Sequence, residues 1–171
     1  RYLWRRPRLL SYVLSKVPAM VINSGAWVTL NLVAGERLSP LSTALALGIL
    51  QCARAIGSGV GPLIPNHLWP RRPLAGVILM MIGVAIFGAS SGTTLTLVGL
   101  FLWGAGGGHN WVMASTASQS NTDDEYMGRV AGADALLFSL GSSGAALLSG
   151  YVSESLQWAE AGCWVTFGVG G

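Results

Sequence analysis

A run of fifty residues without Asp, Glu, Lys or Arg is the feature that most constrains this chain. It covers residues 73–122 and contains one titratable group of note, His109. A bilayer-crossing helix needs about 20 consecutive apolar residues and is destabilised by each buried charge. Residues 90–94, Ser-Ser-Gly-Thr-Thr, form a small polar cluster that is typical of a turn. The run therefore predicts two membrane-crossing helices joined at that cluster.

The composition indicates the same class of protein. Charged residues make up 10% of the 171 residues, whereas about a quarter is usual in soluble domains. The 24 glycines suit a membrane bundle, because glycine lets helix backbones approach closely. The net charge of +3 does not indicate a nucleic-acid partner, since half of the basic residues lie at the N-terminal flank. Cys52 and Cys163 lie in apolar sequence, which favours buried hydrophobic roles over a disulfide or a metal site.

Windows with few charges divide the chain into six predicted spans. They cover residues 11–35, 41–64, 74–90, 95–117, 130–152 and 158–171. The last is too short to be complete, and the sequence opens on Arg1 rather than Met, so we expect a fragment of a longer polypeptide. The sequence thus predicts an all-α membrane protein, a polytopic bundle of about five complete transmembrane helices and a truncated sixth.

Basic residues predict the orientation. They concentrate before the first span and between the second and third spans, at Arg1, Arg5, Arg6, Arg8, Arg71 and Arg72. Because Lys and Arg are enriched in cytoplasmic segments, both regions are expected on the cytoplasmic side. Lys16, at the inner end of the first span, is expected to extend to the lipid headgroups.

Pairs of small residues four positions apart predict close helix packing within the bundle. The pairs are Gly57 with Gly61, Gly104 with Gly108, and Ala146 with Gly150. The run Gly-Ala-Gly-Gly-Gly at 104–108 is not a phosphate-binding loop, because it follows no strand and lacks the Lys-Ser/Thr of that motif.

Two segments resemble those of a known family. Residues 119–130, Q-S-N-T-D-D-E-Y-M-G-R-V, resemble the Q-x-x-x-P-D-E-x-x-G-R-V segment between helices ten and eleven of the drug- and siderophore-exporter-like branch of the major facilitator superfamily. Thr122 replaces the usual Pro. Residues 61–72, G-P-L-I-P-N-H-L-W-P-R-R, resemble the motif between helices eight and nine but lack its Asp.

The resemblance implies that residues 1–171 are the C-terminal six-helix half of a twelve-helix transporter. Such a protein moves a small-molecule substrate by alternating access between two halves, driven by protons or another coupling ion. It implies an exporter that is not an enzyme and carries no cofactor. The expected partners are the substrate, the coupling ion, membrane lipid and the N-terminal six-helix half of the same chain. The expected location is a bacterial plasma (inner) membrane, with the N-terminus of the fragment in the cytoplasm.

Arg54 is the leading candidate for the substrate pathway, because it lies midway along the second span. A charge at that depth must face a cavity or a partner. The sequence leaves open whether Arg54 contacts substrate, contacts a group inside the bundle, or reaches the interface. Gln51, one turn earlier, shares its environment.

Three further polar residues are pathway candidates. His109 is able to titrate near neutral pH, which would suit proton coupling, but a packing role in the bundle is equally open. Asn23 and Asn110 either line a pathway or bond neighbouring helices.

A second group predicts a cytoplasmic gate that opens and closes through charge pairs. Its candidates are Arg71, Arg72, Asp123, Asp124, Glu125, Arg129 and Asp134. A solvated loop is the alternative for the charges at 123–125. For Asp134, near the start of the fifth span, the alternatives are a favourable interaction with the helix dipole and a proton site.

Two other functions compete with transport. A non-transporting scaffold or receptor-like module would use the same helices. An intramembrane serine protease is suggested by Gly-Ala-Ser-Ser-Gly at 88–92 followed by His109. That reading requires Ser90 and His109 at one depth on adjacent helices.

Overall fold

The computed structural model describes residues 2–64 and 73–155, and it is helical throughout. The helices are α1 (Pro7–Leu14), α2 (Lys16–Arg37), α3 (Thr43–Val60), α4 (Pro73–Ala89), α5 (Thr93–Ser120) and α6 (Met127–Ser155). Short 3-10 turns cover Leu3–Arg5, Gly61–Leu63 and Asp124–Tyr126. No strand forms within these two ranges, so the predicted all-α class is confirmed for them.

Local sequence explains several helix boundaries. Pro7 and Pro73 occupy the first positions of α1 and α4, where the missing N–H has no helical partner to lose. Ser42 caps α3, since its hydroxyl accepts a hydrogen bond from the Leu45 amide at 3.4 Å. α4 ends before the Ser-Ser-Gly sequence at 90–92, and α5 begins directly after it. The turn predicted at residues 90–94 therefore lies where α4 and α5 meet.

The hydrophobic core lies between α2, α3, α4 and α5. Its largest fully buried side chains include Ile22 and Leu30 of α2, Leu50 of α3, Phe87 of α4 and Trp103 of α5. α6 packs on the other side of α2, where the Ser149 hydroxyl donates to the Gly25 carbonyl oxygen at 3.1 Å. One side of α2 therefore packs in the core, and another side contacts α6.

Glycines bring α5 into backbone contact with both of its neighbours. A Cβ added to Gly104 or Gly108 would overlap the backbone carbonyl of Arg54 or Ser58 in α3. On the opposite face, a Cβ on Gly106 would overlap the backbone of Met80 in α4. The spacing of Gly104 and Gly108 therefore serves the close packing that it predicts. Gly150, by contrast, has open space beside it among the described residues.

The number of clearly membrane-crossing helices is lower than predicted. Three stretches of the described residues are long and apolar enough to cross a membrane, namely Pro7–Arg37, Thr43–Leu63 and Asp124–Ser155. α4 is strongly apolar but has 17 residues. α5 is long enough, but its glycines and the pair His109–Asn110 lower its hydropathy below that of the three. The predicted span 158–171 lies outside the described residues.

Contacts between connecting segments define two ends of the bundle. At one end Arg6, before α1, binds Asp123 in the α5–α6 connection. At the other end Arg37, at the close of α2, donates to the Ser90 hydroxyl at 3.4 Å, and Thr93 donates to the Arg37 carbonyl oxygen at 3.5 Å. The helices therefore run alternately between an Arg6 end and an Arg37 end.

Candidate functional site

A cavity of about 250 Å³ lies between α2, α3 and α5, with further walls from α4 and α6. Its polar lining comes from Lys16, Asn23, Arg54, Ser58 and Asn110. Its apolar lining includes Met20, Met80, Trp103, Trp111 and Phe138. A concave, largely apolar site with a few convergent polar groups is the usual form of a small-molecule site. Three of the five predicted pathway residues, Arg54, Asn23 and Asn110, line this cavity together.

The Arg54 guanidinium is held between two tryptophans. Its central carbon lies 4.9 Å from the ring centroid of Trp27 and 5.6 Å from that of Trp103. Its Nε donates to Oε1 of Gln51, one turn earlier, at 3.1 Å. In the part of the chain that the structure describes, Arg54 has no carboxylate partner.

The free energies of its contacts explain how the Arg54 guanidinium is tolerated inside an apolar helix without a carboxylate. An Arg at the bilayer centre costs about 2.5–3.5 kcal/mol on insertion scales. A cation–π contact contributes about 0.5–2 kcal/mol, the higher value when the pair is desolvated. Two such contacts and the Gln51 hydrogen bond therefore offset much of the cost without neutralising the charge. The cavity keeps a positively charged wall.

Asn23 fixes one of these tryptophans. The indole Nε1 of Trp103 donates to Oδ1 of Asn23 at 3.2 Å, which joins α5 to α2. Trp103 is fully buried and also packs against Phe87, with ring centroids 6.1 Å apart. Because its ring cannot rotate freely, Trp103 presents a fixed face to Arg54.

Lys16 and Asp134 form an ion pair that joins α2 to α6. Lys16 is 2% exposed, and its ammonium also lies 4.8 Å from the ring centroid of Trp111. It therefore does not extend to the headgroups as predicted. Asp134 is the eighth residue of α6, beyond the first turn where the helix dipole acts. Its second oxygen, Oδ1, is buried without a hydrogen-bond partner in the described ranges.

The ion pair separates two cavities. Lys16 lines the Arg54 cavity and also a second cavity of about 280 Å³. Asp134 lines the second cavity with Ser118 and Thr122, which lie towards the Arg6 end. Lys16 and Asp134 therefore occupy the boundary between the Arg54 cavity and that end of the molecule.

Asn110 and His109 differ in their surroundings. The Asn110 side-chain amide donates to the carbonyl oxygens of Ser15 at 3.3 Å and of Pro73 at 3.0 Å. It thereby ties α5 to the starts of α2 and α4 as well as lining the cavity. His109 is buried in α5 and does not line the cavity.

At the Arg6 end, Asp123 is bound by the N-terminal segment. Arg6 donates to both carboxylate oxygens, at 3.1 and 2.6 Å. The Asp123 amide donates to the Tyr2 hydroxyl at 3.1 Å, and the rings of Tyr2 and Tyr126 stack with centroids 4.1 Å apart. These contacts hold the α5–α6 connection against the start of the chain.

The Arg6 hydrogen bonds, followed by that of Tyr2, lower the pKa of Asp123, and the same contact raises the pKa of Arg6. Because the carboxyl pKa is lowered, the contact stabilises the fold at pH values above the ordinary Asp pKa of about 3.9. This stabilisation is lost as the pH falls through the lowered pKa. The pair therefore stays ionised at neutral pH. As both groups are exposed, it is screened by salt.

The remaining gate candidates are not brought into charge pairs within the described residues. Asp124 and Glu125 lie exposed on the 3-10 turn before α6. The Arg129 guanidinium lies 5.7 Å from the ring centroid of Tyr126. Arg71 and Arg72 lie outside the described residues.

The protease geometry is absent from these helices. The Ser90 hydroxyl donates to the Phe87 carbonyl oxygen at 3.0 Å and bonds Thr96 at 2.9 Å. His109 follows Thr96 by thirteen residues in α5, which is about 20 Å along the helix axis. Ser90 and His109 therefore lie at different depths.

The sequence did not assign Lys16, Arg6 or the two tryptophans around Arg54 to a functional site. The available signal was the position of Lys16 inside the 11–35 span, because a lysine in an apolar span needs a counter-ion, a carbonyl partner or a route to the interface. Trp27 and Trp103 carry no such signal, because an uncharged aromatic side chain fits an apolar span without needing a partner.

Comparison with known proteins identifies the family. The family model described as Major Facilitator Superfamily matches residues 1–160. No curated protein matches the chain, and neither does any solved structure.

Proposed function

Since the chain belongs to the Major Facilitator Superfamily and is an integral membrane protein of a transporter family, we propose that it forms the substrate-binding part of an ion-driven exporter of a small molecule. The two halves of that exporter would move relative to each other, so that the Arg54 cavity opens first to one side of the membrane and then to the other.

The observation that carries the proposal is the position of Arg54. It is a charged, tryptophan-held side chain in a cavity lined by three predicted pathway residues. An intramembrane charge that faces a cavity without a carboxylate is a typical mark of a substrate or ion pathway. Gln51 and Asn23 support the site indirectly, since Gln51 binds the guanidinium and Asn23 orients Trp103.

The coupling ion we propose is the proton, with Asp134 as its acceptor. The free Oδ1 of Asp134 is able to take a proton, which would release Lys16. Lys16 lines both cavities, so its release would change the boundary between them. The Arg6–Asp123 contact, together with Arg129, would form the gate at the Arg6 end. A part for Arg71 and Arg72 in the gate stays a prediction from the sequence.

Sequence features support the proposed export and orientation. The segment at 119–130 resembles that of the exporter-like branch, and the basic residues at the N-terminus favour a cytoplasmic Arg6 end. We propose the bacterial inner membrane as the location.

The exposed apolar faces suit membrane lipid and a second half of the transporter. Half of the most apolar window of Pro7–Arg37 is buried, but only 11% of that of Asp124–Ser155. The exposed side chains of α6 include Leu136, Leu140 and Leu147. We propose that lipid covers the outer part of these faces and that the N-terminal six-helix half closes the cavity.

Transport by the full-length protein tests the proposal. Cells expressing it would be screened for efflux of small anionic, neutral and cationic aromatic compounds, and the exported compound would then be measured with Arg54→Ala. We expect Arg54→Ala to reduce efflux at least about tenfold at equal expression, because a buried charge contact is worth several kcal/mol. Efflux at the wild-type rate would remove Arg54 from the pathway, and no efflux of any compound would count against the exporter.

A further inference from the structure

We infer that the Arg54 cavity binds a small organic anion with a flat apolar body, such as an aromatic carboxylate. This inference deepens the proposed transport function and rests on it, because it names the class of substrate that the cavity would take.

The charges around the cavity support an anion. Two cations line it, Lys16 and Arg54, and no Asp or Glu of the described residues does so. The Lys16 charge is balanced by Asp134 from outside the cavity. The charge of Arg54 is not balanced, so the walls carry one net positive charge that favours an anionic occupant and disfavours a cation.

The hydrogen-bond donors of Arg54 support a carboxylate in particular. A guanidinium carries five N–H groups in a planar fork, and the Gln51 contact uses the one at Nε. No other hydrogen bond to Arg54 is made within residues 2–64 and 73–155. The terminal N–H groups are thus available for the paired bonds that a planar carboxylate accepts.

The apolar walls support a flat body on that anion. Trp103 and Trp111 both line the cavity, and Trp111 is braced edge-on by Phe138 with centroids 5.6 Å apart. The face of Trp111, which is half exposed, favours a ring that stacks on it, whereas Trp103 is fully buried against Arg54 and adds apolar wall. The volume of about 250 Å³ lies just below the usual range of about 300–1,000 Å³ for small-molecule sites, which suits a ligand of one or two rings.

The binding experiment compares three probes of one shape and different charge. 1-Naphthoate, 1-naphthamide and 1-naphthylmethylamine would be measured by equilibrium dialysis against the full-length protein in nanodiscs, with empty nanodiscs as background. We expect 1-naphthoate to bind at least about tenfold more tightly than the other two. Equal binding of the three, or preference for the amine, would overturn the inference.

Variants assign that preference to Arg54. Arg54→Gln is expected to remove it, and Arg54→Lys to retain part of it, because lysine keeps the charge but loses the fork. Arg8→Gln is the matched control, since it removes an exposed charge outside the cavity and should leave naphthoate binding unchanged. Melting temperatures identify variants that fail to fold. Undiminished naphthoate binding by folded Arg54→Gln and Arg54→Lys would contradict the assignment.

The two experiments distinguish failure of the anion-binding inference from failure of the transport proposal. Naphthoate binding at Arg54 without efflux of any compound would contradict the transport proposal and leave the anion site standing. Efflux that depends on Arg54 but is restricted to cationic compounds would support transport and overturn the anion site.

Discussion

Lys16 and Asp134 show how one contact places two charges inside the bundle. Lys16 is 2% exposed, so removing the Asp134 carboxylate leaves the buried Lys16 ammonium without its counter-ion. The loss of one member of a buried pair costs about 3–5 kcal/mol, whereas removal of both is often nearly neutral. The stability of the pair is therefore expected to depend on both partners together.

We predict that Asp134→Asn and Lys16→Gln each lower the melting temperature, and that the double variant recovers most of the loss. The double variant keeps Arg54 but should lose the dependence of transport on a pH gradient. Thermal unfolding in detergent and counterflow in proteoliposomes measure the two effects. Gradient-driven transport by the double variant at the wild-type rate would remove Asp134 as the proton site.

At the residue scale, sequence reasoning located single chemical groups but not their partners. Arg54 was recognisable because a charge in an apolar span needs an explanation. Its ring partner Trp103 lies in another helix, and Lys16 and Asp134 are 118 positions apart. Such pairings depend on how helices pack, which a single sequence does not specify.

At the element scale, the glycines of α5 set the position of Arg54. Gly104 lies against the Arg54 carbonyl, so a methyl group there must push α3 away from α5. Forcing extra atoms into a close-packed contact costs about 1–3 kcal/mol. The predicted result of Gly104→Ala is a lower free energy of unfolding and weaker naphthoate binding, measured by chemical denaturation and dialysis.

Gly48→Ala is the matched control, because Gly48 lies in α3 with open space beside it. Alanine there should leave stability unchanged or raise it by up to about 1 kcal/mol through helix propensity. Equal stability of the two alanine variants would show that α5 does not need Gly104 for its approach to α3.

The sequence predicted the positions of the helices better than it predicted which of them are apolar enough to cross a membrane. Absence of charge and the polar cluster at 90–94 indicated α4 and α5, and the Gly104–Gly108 spacing indicated a close approach of α5 to a neighbour, which the structure shows to be α3. Fewer of the described helices reach the length and hydropathy of a span than the sequence predicts, since α4 has 17 residues and glycines and His109–Asn110 make α5 less apolar than its lack of charge suggests. Lack of charge and high hydropathy are separate properties, and the sequence prediction relied on the first.

At the scale of the whole molecule, the Arg54 cavity lies between an Arg6 end held by Asp123 and an Arg37 end held by Ser90 and Thr93. The Lys16–Asp134 pair lies between the cavity and the Arg6 end. A transporter must open each end in turn, whereas a static scaffold needs neither opening. The central claim is therefore that the cavity is reached from both sides of the membrane.

Thiol labelling of Ser58→Cys measures that access most directly. Ser58 lines the cavity, and the change is close to isosteric. In the full-length protein with every native cysteine, Cys52 and Cys163 included, replaced by serine, a membrane-impermeant maleimide would be added to one side of oriented vesicles at a time. We expect labelling from both sides, in proportions that change with the pH gradient and fall when naphthoate is bound. Labelling from one side only, under every gradient, would contradict the central claim.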